Sequence, residues 1–467
     1  MHVLRVFLAL LLILLGSQRA EADGYGIGLA SPVDWSSAQP LLDLMKTARP
    51  WIGHGADEWE AMSADEIAAS GVLDEHGWPT ALPGGVTSLG TLVLTSLPVD
   101  AAGLTGRYVL RYEGTGEIEV DLGAQNITTA PGRIEFDYSP ASEMIHIAIH
   151  STDPAGTGDY IRNIEIVRKD RLAAYDAGAT FNPDWLALID GFEVVRFMDW
   201  MTTNDSTLAH WADRPKPDDA SYRRHGVPVE VMIELANTLG ADPWFNMPHL
   251  ADDDFMRRFA EVVRDGLDPE LKAYVEFSNE VWNWGFDQAH WADEQAQAYW
   301  LRNPSWIQFY AGRASEMADI WAEVYGDEAE DRLVRVIATQ TGWFGLEQEI
   351  LNATKWVRKE RGRTAPGKHF DAYAITGYFG GHLANGDWAQ PVHDWIAESR
   401  AAAEAAADRQ GLSGAAREAW IADHRFDRAV EIAAAHLGGA DGPAEGVHDV
   451  PSMVDEAEPE LVDGYED

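Results

Sequence analysis

The feature that most constrains the fold is a change of hydrophobic period along the chain. Residues 107–112, 117–122, 133–138, 144–150 and 161–166 each alternate apolar and polar side chains. Strand side chains point to opposite faces in turn, so such alternation means one buried face and one wet face. Clusters such as Glu113-Gly114-Thr115-Gly116 punctuate the runs. Short strands at this spacing predict a small antiparallel β-sandwich over about 72–168.

On either side the pattern is different. Gly26-Ile27-Gly28-Leu29-Ala30 is a strand candidate, and a helix pattern follows over 40–45. After residue 181, strands and helices alternate. Residues 193–200 read as a strand, and 228–239 as a helix with Pro at its start and Gly240 at its end. A strand over 243–249 leads to a helix capped by Asp252 or Asp253. Phe255, Met256, Phe259, Val262 and Val263 share one face of it. Residues 274–280 form the next strand, 307–325 a long amphipathic helix, and 333–339 and 370–378 two further strands. This alternation predicts parallel βαβ units.

The count is about six core strands, whereas a (β/α)8 barrel has eight. An Ala-rich helical stretch over 398–436 and an acidic tail over 438–467 follow, and only 459–465 could start a seventh strand. An open doubly wound sheet is the alternative. Several strands end in polar and aromatic residues, as at a barrel's active face, which favours the barrel. The expected fold is therefore α/β: a TIM-barrel-like (β/α)8 domain, incomplete at its C-terminus, with an inserted antiparallel β-sandwich. The expected organisation is a signal peptide at 1–22, a first βα unit at 23–71, the sandwich at 72–168, the rest of the barrel-like domain at 169–436 and a tail at 437–467.

Bulk properties narrow the function. A formal net charge of −42 argues against nucleic acid and anionic membrane surfaces as partners. The basic start, the apolar run over 6–15 and the small-x-small Ala20-Glu21-Ala22 predict a cleaved signal peptide, hence a secreted protein. No later segment reads as a membrane span. The chain has no cysteine, which excludes disulfides, thiolate metal sites and a Cys nucleophile. No cofactor is expected, and the chain reads as a monomer.

The chemistry concentrates in Tyr274-Val275-Glu276-Phe277-Ser278-Asn279-Glu280-Val281-Trp282-Asn283. A strand that delivers a carboxyl group beside an amide and aromatic rings suits sugars. The acid can protonate a glycosidic oxygen, the Asn can hold a hydroxyl, and indoles can stack on pyranose faces. Glu276, Ser278 and Glu280 share one strand face, so Glu276 reads as an inward polar layer residue. Trp200, Trp244, Trp282 and Trp284 are candidate stacking platforms, although packing is the commoner fate of a single Trp. Asp252, Asp253 and Asp254 near His249 read as a helix start interacting with its dipole, not as a metal cluster. No metal is expected.

These residues resemble the glycoside hydrolases of clan A, the large retaining group built on (β/α)8 barrels. Residues 240–249 and 275–283 more closely resemble a group of secreted bacterial cellulase-like or carbohydrate-binding proteins. That closer likeness covers about 181–381, and Leu73-Asp74-Glu75-His76-Gly77-Trp78-Pro79 shares it. The resemblance implies a polysaccharide or oligosaccharide substrate. Glu280 would be the acid/base at the end of strand four, and Asn279 would bind the hydroxyl beside the reacting carbon. Arg196 would hold the nucleophile ionised, and Tyr378 would hydrogen-bond it. His249 and Asn246 would line the site.

Two departures qualify this carry-over. The family's His-x-Tyr is Thr376-Gly377-Tyr378 here. The family nucleophile, a Glu on strand seven, has only Glu466 as a weak counterpart, and strand eight has none. A retaining mechanism needs two carboxyl groups about 5 Å apart. The expectation is thus a hydrolase of β-linked polysaccharide with Glu280 as acid/base. The alternatives are a non-catalytic carbohydrate-binding protein and an inactive truncated hydrolase.

Overall fold

The computed structural model describes residues 24–140, 142–377, 389–429 and 432. The signal-peptide segment, Tyr378, residues 459–465 and Glu466 lie outside the described residues. In chain order the strands are β1 (Gly26–Gly28), β2 (Ile52–His54), β3 (Ser88–Val93), β4 (Gly106–Glu113), β5 (Gly116–Leu122), β6 (Gln125–Ala130) and β7 (Arg133–Tyr138). They continue as β8 (Ile145–Thr152), β9 (Arg162–Arg168), β10 (Val194–Arg196), β11 (Asp242–Met247), β12 (Ala273–Phe277), β13 (Leu333–Thr339) and β14 (Ala372–Ile375).

Six of them form one sheet in the order β1-β10-β11-β12-β13-β14. The four pairings from β1 to β13 are parallel. Leaving the insert aside, each strand lies beside its successor in sequence, so the crossover helices fall between neighbours. Local chemistry sets their ends. Gly240 closes the helix Val229–Leu239 in the left-handed region at φ 64°. The Asp252 side chain accepts from Phe255 N and so starts the helix Asp253–Gly266. Ser305 does the same for the 20-residue helix Trp306–Tyr325, which buries Tyr310, Met317 and Trp321. These helices share one core with Val195, Phe245, Val275 and Ile337 of the sheet.

The insert is two four-stranded antiparallel sheets, β2-β3-β8-β5 and β6-β7-β4-β9. Leu89, Val93, Ile145 and Ile147 of the first share a core with Tyr108, Leu110, Phe136 and Ile166 of the second. Antiparallel structure begins earlier than residue 72. Strand β2 pairs with β3, and Leu44, Met45, Trp51 and Ile67 pack into the insert's core. The helix pattern over 40–45 gives only the 3-10 turn Leu44–Thr47. The cause is Asp43. Its Oδ1 accepts from Met45 N at 3.0 Å and from Ile166 N of β9 at 2.8 Å, tying the segment to the insert. Burial pushes this carboxyl up to about 6, against the pull of Lys46.

The described residues fall in two compact units, one holding 24–339 and 345–374, the other beginning with 340–344 and 375–377. The second also holds the helices Ala389–Arg409 and Gly414–His424, joined by an ion pair of 2.8 Å between Arg417 and Asp408. Among the described residues no helix is long and apolar enough to cross a membrane.

Candidate functional site

Parallel register gathers the polar residues at the ends of β10, β11 and β12. Arg196 lies opposite Trp244, and Asn246 lies opposite Glu276. Three donors meet on Glu276 Oε2: Arg196 Nη2 at 2.8 Å, Asn246 Nδ2 at 2.8 Å and Trp244 Nε1 at 3.0 Å. Glu276 is 2 % exposed, so its carboxylate depends on these partners rather than on water. The Trp244 ring lies between the Arg196 guanidinium, 5.1 Å away, and the stacked Tyr274 ring at 5.9 Å. Asn246 Nδ2 also donates to the Ser278 carbonyl at 2.8 Å.

The chain leaves β12 in an unusual conformation. Ser278 and Glu280 have φ of 57° and 42°, in the left-handed region that residues with a Cβ rarely adopt. Such a conformation persists only where the surroundings over-determine it. Here Ser278 N donates to the Met247 carbonyl at 2.8 Å, and Asn279 is held on three sides. Asn279 Oδ1 accepts from Arg196 Nη2 at 3.1 Å, its Nδ2 donates to Asn204 Oδ1 at 3.1 Å, and its carbonyl accepts from Gln288 Nε2 at 2.8 Å. The half-buried Glu280 carboxylate follows, accepting from Asn283 Nδ2 at 3.1 Å.

The structure therefore brings Arg196, Trp244, Asn246, Glu276, Asn279 and Glu280 together. It also recruits Asn204 and the fully buried Gln288, which the sequence reading did not single out. Neither sits in a strand, and no sequence periodicity marks them. His249 is 3 % exposed after β11, with its ring edge-on to Trp291 at 5.6 Å. Burial pushes its pKa down to about 4, against the opposing charges of Asp287 and Asp205. Burial likewise raises the Asp199 carboxyl, with Arg196 opposing.

Four buried polar atoms here have no hydrogen-bond partner among the described residues: Arg196 Nε, Asn246 Oδ1, His249 Nδ1 and Ser278 Oγ. Buried polar groups are normally paired, so this concentration marks a place where structure serves something besides packing.

Several expectations change. Trp200 is not a stacking platform. It is fully buried, donates from Nε1 to the Ala30 carbonyl and stacks on Trp185. Trp282 is also core, edge-on to Tyr310. Asn246 is 0 % exposed, so it positions Glu276 instead of touching a ligand. Of the four tryptophans, Trp244 and Trp284 keep exposed surface. Tyr378 and Glu466 lie outside the described residues.

A cavity of about 170 Å³ lies elsewhere, lined by Arg49, Trp51, His76, Asp219, Arg223 and His225. It touches none of the strand-end residues, and its chemistry is less concentrated than theirs. No family model matches this chain, and neither the curated proteins nor the solved structures contain a match.

Proposed function

We propose that the protein is an exported glycoside hydrolase acting on β-linked polysaccharide by a retaining mechanism, with Glu280 as acid/base. In this reading the six-stranded sheet is the greater part of a (β/α)8-type barrel, and the strand ends are its active face. One observation carries the proposal. A half-buried carboxyl is displayed from a strained strand end, directly after an Asn locked to an Arg. That arrangement fixes an acid and a hydroxyl-binding amide on one edge, with Trp244 and Trp284 as nearby aromatic surfaces. The acid would protonate the glycosidic oxygen, and the amide would orient the sugar.

One feature favours a second reading, a carbohydrate-binding protein without hydrolysis. Arg196 serves the buried Glu276, whose Oε2 already accepts from three donors. The nucleophile is thus not assigned among the described residues.

The test is reducing-sugar release from β-glucan, xylan and mannan, with affinity electrophoresis in gels of the same polymers. Hydrolysis by the wild type and a loss of at least about 100-fold in Glu280→Gln, with unchanged circular dichroism, is the expected result. Retardation in the gel without sugar release would establish the binding reading. Undiminished hydrolysis by Glu280→Gln would remove Glu280 from the mechanism.

A further inference from the structure

The insert carries a second concentration of chemistry, remote in sequence from the strand ends. On β3, Leu89 and Val93 face the insert's core, so Gly90 faces outward. Over Gly90 stand two imidazoles, His54 at the end of β2 and His146 on β8. They are 6 % and 5 % exposed. A Cβ at position 90 would collide with Nε2 of both rings, so the absence of a side chain there makes their meeting place. Trp59 closes the third side, with its ring centroid 4.6 Å from His54 and 4.9 Å from His146.

The hydrogen bonds fix the tautomers. His54 Nδ1 meets the Trp59 carbonyl oxygen, and a carbonyl only accepts, so Nδ1 carries the hydrogen. His146 Nδ1 meets Asp121 Oδ1 at 2.8 Å, and a carboxylate also only accepts. When a ring is neutral its remaining nitrogen, Nε2, therefore presents a lone pair. These two atoms face each other at 3.0 Å. Two lone pairs at that distance repel unless a cation stands beside both.

A proton is one such cation. Both rings are almost out of contact with water, and a lone proton's charge is costly to bury there. A metal ion is the other. Metal–imidazole bonds of about 2.0–2.1 Å at a cis angle of about 95–110° separate the two nitrogens by about 3.0–3.4 Å. The outer hydrogen bonds are also of the kind that metal-binding imidazoles make, one to a carboxylate and one to a backbone carbonyl.

We propose that His54 and His146 chelate one divalent transition-metal ion through their Nε2 atoms. Gly90 forms the floor of this site and Trp59 its cover, and Asp121 and the Trp59 carbonyl orient the ligands. Two imidazoles select a borderline ion such as Zn²⁺, Cu²⁺ or Ni²⁺ over Mg²⁺ or Ca²⁺. Water completes the coordination, since the two rings supply only two ligands. Asp121 is a positioning residue here, acting through His146.

The test titrates chelator-stripped full-length protein with Zn²⁺, Cu²⁺ and Ni²⁺ by calorimetry, and records the Cu²⁺ electron paramagnetic resonance spectrum. One ion per chain, with superhyperfine splitting from two nitrogens, is expected. His146→Gln should abolish that event, and Asp121→Asn should weaken it about 10–100-fold. His76→Gln should leave it intact, although His76 stands near Asp218 and Asp219 in the other cluster able to hold an ion. If His146→Gln fails to fold by circular dichroism, Asp121→Asn decides. Absence of binding by the wild type, equal affinity in His146→Gln or Asp121→Asn, or loss on His76→Gln would each overturn the site.

Discussion

Charge at the strand ends is settled by which carboxylate is buried. Arg196 could have served an exposed nucleophile, yet it pairs with Glu276, which has almost no access to water. A buried carboxylate without its cation is strongly destabilising, so this pairing takes precedence over any looser partner. His249 is the opposite case, a buried base kept neutral. Its pKa is pushed down to about 4, below the ordinary value of 6.5. Above pH 6.5 the group is neutral in both folded and unfolded chains and has no effect on stability relative to pH. As pH falls from 6.5 towards 4 the unfolded chain takes up the proton first, and the folded state loses stability. The loss levels off below about 4 and amounts to on the order of 2 kcal/mol after allowing for residual solvent screening. Urea titrations of wild type and His249→Gln at pH 7.5, 5.5 and 4.5 check this. The difference in their stabilities should shift in favour of the variant as pH falls, and a difference independent of pH would show that His249 is not buried neutral.

Elements show the same competition between local preference and packing. Gly312 sits inside the helix Trp306–Tyr325, where propensity alone favours Ala by about 1 kcal/mol. A Cβ there would run into the ring of the buried Trp356. Overpacking costs about 1–3 kcal/mol, so Gly312→Ala should lower the urea midpoint despite its better helix propensity. A higher midpoint would mean that the Trp356 ring moves aside freely. This balance also explains what the sequence made legible. Strands β4, β5, β7, β8 and β9 alternate in sequence, and all five lie where alternation placed them. Strand β3 was not readable. All six of its residues are buried, and with His54 and His146 over its outer face nothing requires polar side chains there. Strand β6 failed for the converse reason, since all six of its residues are exposed. At the site, Arg196 was visible because it ends a strand, and Asn279 and Glu280 because they closely follow one, although the strand expected over 274–280 stops at Phe277 and Glu280 does not continue its face. The centre at Glu276 depends on the register of β10, β11 and β12, which no local pattern encodes.

At the scale of the molecule, the insert and the parallel sheet have separate cores, and whether they melt separately depends on their seam. The seam is the segment 215–226 that follows β10. Ala220 is 4 % exposed and belongs to the insert's core, although it lies in the chain of the parallel-sheet region. Its N–H donates to the His76 carbonyl at 2.8 Å, Tyr222 N donates to the Lys46 carbonyl at 2.8 Å, and Lys46 Nζ donates to the Asp219 carbonyl at 2.6 Å. Opening either core would strip these buried partners from the other, so the two belong to one compact unit. They should therefore unfold together. With 5-fluorotryptophan incorporated, the resonances of Trp78 in the insert and Trp321 in the sheet's core should lose intensity at one urea concentration. Ala220→Asp places an unpaired carboxylate at the seam and should cost on the order of 3 kcal/mol. If the seam couples the cores, both resonances move to lower urea by the same amount. If only Trp78 moves, the insert is an independent domain, and the seam contributes packing without cooperativity.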